Sequence, residues 1–153
     1  MRNNLLKIFA GFMALFIVLA FAESSSAQNR RVRYVSKQRV ENLLERIEER
    51  SDHFSNQLNK SLDRSRLDGT RAEDNITVRA RHLENATDEL RREYDHHDSH
   101  AENSPEVRRV FAAARAVNRI MIRRSFSRQA EQSWVRLRAE INTLGRLFRQ
   151  GAI

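Results

Sequence analysis

Ile76, Ala80, Leu83, Thr87, Leu90 and Tyr94 follow one another at steps of four, three, four, three and four. That rhythm holds all six on one stripe of an α-helix, whereas a strand would scatter them over both faces. Three further segments carry the same signature. Val40, Leu43, Leu44, Ile47, Phe54, Leu58 and Leu62, with Ser51 filling a step, make one stripe. Val107, Val110, Phe111, Ala114, Val117 and Met121 make another, and Ala130, Trp134, Leu137, Ile141, Leu144 and Phe148 a fourth. Each stripe needs an apolar partner, and four amphipathic helices of similar length supply one another. With only 4 Gly and 1 Pro in 153 residues, turn residues are too few for a many-stranded β fold. The expectation is an all-α chain, an antiparallel up-down four-helix bundle with helices of about 20 to 27 residues.

The punctuation fits that reading. Ser36 is a permissible N-cap for helix one. Leu67-Asp68-Gly69-Thr70 is the clearest turn, with Gly69 suited to a left-handed conformation and Thr70 with Glu73 forming a Thr-x-x-Glu capping box. Helix two then starts at Arg71. Ser104 as N-cap and Pro105 as first helical residue open helix three, and Ser125-Phe126-Ser127 is the break before helix four.

Ahead of the bundle lies a segment with the grammar of a cleaved signal peptide. Arg2 and Lys7 are the positive region, Ile8 to Ala22 an uncharged apolar run, and Ser25-Ser26-Ala27 the small residues before a cut. Cleavage after Ala22 is a second option, and an uncleaved anchor the alternative, although a spanning helix needs about 20 apolar residues. The expected organisation is residues 1–27 as signal peptide, 28–35 as a basic flexible arm, and 36–150 as the bundle, in the periplasm or secreted. No transmembrane helix is expected after cleavage. The sequence has 0 Cys, which excludes CxxC zinc sites, thiol nucleophiles and CxxCH haem attachment.

Charge divides the chain. Residues 28–40 hold five cations and no acid, 41–105 ten cations and sixteen acids, and 106–153 eleven cations and three acids. Glu41, Glu45, Glu48 and Asp52 form an acidic stripe beside the helix-one seam, readable as a solvated or salt-bridged flank. Arg108, Arg115, Arg119 and Arg123, at steps of seven, four and four, share one strip of helix three. Two readings are open for it: a salt-bridged or solvated flank, or a weak electrostatic contact with anionic envelope polymers, lipid headgroups or nucleic acid. No DNA motif or aromatic interleaving is present, so no specific nucleic acid is expected.

The other dense set is Asp95-His96-His97-Asp98-Ser99-His100. Imidazoles suit Zn, Cu or Ni, so His96, His97 and His100 are candidate metal ligands; a solvated polar connector is the alternative. Haem ligation by Met121, His82 or His53 is disfavoured because core spacing already explains Met121. No resident cofactor is expected. A phosphate-binding Gly-rich loop, His-Glu-x-x-His and Gly-x-Ser-x-Gly are all missing, so the chain is not expected to be an enzyme. Two sequons, at Asn75 and Asn85, fall inside predicted helix two.

The segment from Ser61 to Asp74 (SLDRSRLDGTRAED) and the later Trp134 seam resemble a group of uncharacterised small exported α-helical bacterial proteins, over roughly residues 40 to 150. The resemblance implies an exported helical fold and brings no active site. The four-helix c-type cytochromes and the small envelope-stress chaperones are similar in fold only, since CxxCH and Leu-Thr-x-x-Gln repeats are missing. The expected role is non-enzymatic, binding or scaffolding an envelope partner not yet named. A periplasmic divalent-metal binder and a weak polyanion binder are the alternatives, and the oligomeric state is open.

Overall fold

A computed structural model describes residues 36–96 and 104–153. The expected signal peptide and basic arm lie outside the described residues. Four helices make up the described chain: α1 (Lys37–Leu62), α2 (Arg71–His96), α3 (Ser104–Met121) and α4 (Arg128–Leu147). Among the described residues there is no strand, so the all-α class holds.

The seams are where the spacing put them. Every seam position named for α1 and α2 is buried, Thr87 and Ser51 included. On α3 and α4 all are buried except Met121 and Phe148, each at the end of its helix and half-buried against the core. α3 is shorter than expected, at 18 residues. Just past its end the Arg123 N–H bonds to the carbonyl of Ile120, an i→i−3 bond that tightens the closing turn, and the Arg124 N–H shares the same carbonyl. Serines extend the core beyond the apolar stripes: Ser55, Ser61 and Ser133 are buried as well. A helical serine can return its hydroxyl to its own backbone, as Ser133 does by donating to Gln129 O at 2.7 Å, which satisfies that hydroxyl in its buried position.

Turn chemistry fixes the α1–α2 connection. Gly69 adopts φ +70°, a left-handed geometry that a side chain would resist. The Glu73 N–H donates to Thr70 Oγ1 at 3.3 Å, and Glu73 Oε2 accepts from the Gly69 N–H at 2.6 Å, one residue earlier than the usual box. At α4, Ser127 is the N-cap, its Oγ accepting from the Ala130 N–H. Ser36 stands at the N-cap of α1, but its side chain makes no capping bond.

The helices pack as α1 on α2, α2 on α3, α1 on α4 and, more sparingly, α3 on α4. Along α1, Arg46 and Arg50 meet Glu140, the Phe54 ring meets Trp134 at 5.3 Å between centroids, and Ser61 Oγ accepts from the Ser127 N–H at 2.8 Å. Thr77 on α2 donates to Asn59 Oδ1 on α1. Past α4 the chain turns back instead of trailing away. Arg149 takes φ +55°, the Gln150 N–H bonds to Gly145 O, the Ile153 N–H donates to Asn142 Oδ1 at 2.9 Å, and Ile153 packs on the core.

Candidate functional site

Arg108, Arg115 and Arg119 are exposed along α3, whereas Arg123, the fourth residue of the expected strip, is exposed in the turn just past the end of that helix at Met121. A salt-bridged flank was one reading of this strip, and the geometry does not provide the bridges. None of the four forms an ion pair among the described residues. The three acids of residues 104–153 are occupied elsewhere. Glu140 accepts from Arg46 at 3.3 Å and lies 3.5 Å from Arg50 of α1, Glu106 lies 3.7 Å from Arg109, and Glu131 Oε1 accepts from the Phe126 N–H at 3.1 Å. Among the described residues Arg115 has one further contact, its guanidinium lying 5.8 Å from the centre of the Phe111 ring. Among the described residues no acid pairs with the strip.

Beside the strip runs a groove of about 280 Å³ between α3 and α4, lined by Asn118, Met121, Ile122, Glu131, Trp134, Val135 and Arg138. Its floor is polar at one point and closed there: Asn118 Oδ1 accepts from both Trp134 Nε1 (3.2 Å) and Arg138 Nη1 (3.4 Å). Ile122 and Val135 are 70% and 54% exposed, unusual for large aliphatic side chains. Neither belongs to a seam. An aliphatic residue off the seam was the available sequence signal, and seam counting passes over it.

Across the molecule the α1–α2 face is acidic. Asp88 of α2 has its carboxyl pKa raised, first by partial burial and then by the charges of Asp52, Glu48 and Glu84, with Arg92 pulling the other way. The acidic stripe is therefore only partly relieved by cations; Glu41 has Lys37 at 3.9 Å.

Of the histidines, His96 ends α2 with its side chain exposed, and His97 and His100 lie outside the described residues. Among the described residues no three His, Cys, Asp or Glu side chains are grouped to hold a metal ion. Among them, too, no helix is long and apolar enough to cross a membrane. Compared with protein-family models, curated proteins and solved structures, the chain finds no match.

Proposed function

We propose that the chain is a non-enzymatic exported helical protein with a binding or scaffold role in the bacterial cell envelope, and that the arginine strip of α3 is its contact surface for anionic envelope polymers. The observation that carries this reading is that Arg108, Arg115, Arg119 and Arg123 are exposed without an ion-pair partner among the described residues, beside acids already engaged by other partners. An unpaired exposed cation keeps its attraction for a polyanion, whereas a paired one has spent most of it. Residues 1–27, read as a cleaved signal, would deliver the domain to the periplasm or beyond. The up-down antiparallel order belongs to the same proposal. It is supported by the α1–α4 pairings, in which later positions on α1 meet earlier positions on α4.

Dextran sulfate is a suitable probe for the strip. Affinity of residues 28–153 should fall steeply with salt, and replacing all four arginines by Gln should lower it about tenfold or more and flatten the salt slope. An unchanged slope in that variant removes the strip from the function. Mass spectrometry of the exported product, expected to begin at Gln28 or Glu23, tests the signal; a mass that includes Met1 refutes its cleavage.

A further inference from the structure

We infer that the α3–α4 groove and its rim dock on the surface of an anionic phospholipid bilayer, with Ile122 and Val135 entering the acyl boundary and the surrounding arginines meeting the headgroups. The inference deepens the envelope-binding reading and rests on it for the compartment. Its own evidence is separate, because a soluble polyanion has no use for exposed aliphatic side chains.

Three large apolar side chains are exposed among the described residues, and two of them, Ile122 just past the end of α3 and Val135 on α4, line the same groove. Cations flank that pair. Arg119, in the last turn of α3, precedes Ile122 by three residues. Arg123 and Arg124 follow it into the turn, and Arg128 and Arg136 line the adjoining surface with Val135. All five are exposed and none forms an ion pair among the described residues. Glu131, the one acid lining the groove, accepts from the Phe126 N–H, and the five arginines outnumber it. An apolar centre with a cationic margin is the pattern that adsorbs at a negatively charged lipid interface, where each arginine and each buried methylene adds to the partition.

The polar chemistry of the groove argues against a partner read by directional bonds. The Asn118 side-chain oxygen at its floor already accepts from the Trp134 indole and the Arg138 guanidinium. The rest of the lining offers mainly charge and apolar surface. A lipid surface needs nothing more, and without a membrane-crossing helix among the described residues the contact is a peripheral one.

Val35–Ile153 is a compact unit in its own right, so residues 28–153 are the material for the test, free of the apolar leader that would itself insert. Flotation is run with phosphatidylglycerol/phosphatidylethanolamine vesicles and with phosphatidylcholine vesicles, beside dextran sulfate titration and sedimentation of the lipid-free protein. Binding to the anionic vesicles should exceed that to phosphatidylcholine by tenfold or more. Ile122→Ser with Val135→Ser should lower it at least about fivefold and leave dextran sulfate affinity unchanged. Both residues are exposed, so thermal unfolding of the double variant should match the parent. Equal binding to both vesicle types, no binding to either, or unchanged vesicle binding in the double variant overturns the inference. So does a concentration-dependent dimer abolished by the same two substitutions, since a second copy would then be the occupant. Dextran sulfate binding without vesicle binding sinks the inference alone. Vesicle binding without dextran sulfate binding sinks the polymer reading alone.

Discussion

The indole N–H of Trp134 donates to the side-chain oxygen of Asn118 at 3.2 Å, while the same indole packs its ring against Phe54 of α1. One side chain thus joins α4 to both its neighbours, and it is only 3% exposed. Trp134→Ala should cost about 3 to 5 kcal/mol, removing a large buried ring from two interfaces. Asn118→Ala should cost less, about 1 to 3 kcal/mol, by leaving the indole N–H without its acceptor. Urea unfolding followed by circular dichroism measures both. A loss below about 1 kcal/mol for Trp134→Ala would contradict its place between three helices.

Gly145 lies opposite Phe111. A Cβ at that position would sit 2.5 Å from Phe111 Cζ, on a ring that is 1% exposed. Helix propensity favours alanine over glycine by about 1 kcal/mol. Overpacking typically costs about 1 to 3 kcal/mol, and here it should win. Gly145→Ala should therefore lower the melting temperature, and a rise would show that the ring yields.

Arg149 occupies a left-handed conformation, φ +55°, just past the end of α4, where the Gln150 N–H reaches back to Gly145 O. Glycine is the residue that tolerates this position without strain. Arg149→Gly should stabilise the domain by about 1 kcal/mol, read as a higher midpoint in urea. A lower midpoint would mean that the arginine side chain contributes more than its backbone strain costs.

Ser51 fills a core step on α1 at 1% exposure, and its hydroxyl has no hydrogen-bond partner among the described residues. Ser51→Ala removes an unsatisfied polar atom and improves helix propensity, so stability should rise by about 0.5 to 1.5 kcal/mol. A fall in stability would reveal a partner for the hydroxyl.

Asp88 supplies a pH dependence. Its folded pKa is raised, by partial burial and by the charges of Asp52, Glu48 and Glu84, so the folded state holds that proton more tightly than the unfolded chain does. The associated stability is fully present below the unfolded pKa, near the usual 3.8, and is lost as pH rises through the folded value. Asp88→Asn should then melt higher than the parent at pH 7, with the difference vanishing below about pH 3.5. An equal gain at both pH values would remove the ionisation argument.

The helices were legible because burial here is periodic: Ile76 through Tyr94 announce their shared face by spacing alone, and Gly69 with Thr70 and Glu73 announce the turn by backbone chemistry. Buried serines were harder to see. Ser55, Ser61 and Ser133 belong to no apolar stripe, and burial suits them because small hydroxyls fit between close helices; Ser61 Oγ even receives the Ser127 N–H. The arginine strip was legible as a strip. Whether acids on other helices neutralise it depends on side-chain partners far apart in the chain, such as Glu140 with Arg46, which no local pattern encodes. The exposed pair Ile122 and Val135 was visible only as two aliphatic residues outside any seam, and their meeting across one groove is a tertiary fact.

The bond between Ser61 and Ser127 spans 66 residues, whereas α1–α2, α2–α3 and α3–α4 each join helices adjacent in the chain. Folding can proceed from hairpin to hairpin with low loop-closure entropy until the last step, when α4 must find α1. Until then the α1 stripe from Val40 to Leu62 has only one of its two covers. Arg128–Leu147 is thus the clasp of the molecule. A nascent or truncated chain lacking it should be open and adhesive to chaperones, and the complete one should unfold cooperatively when the clasp lets go.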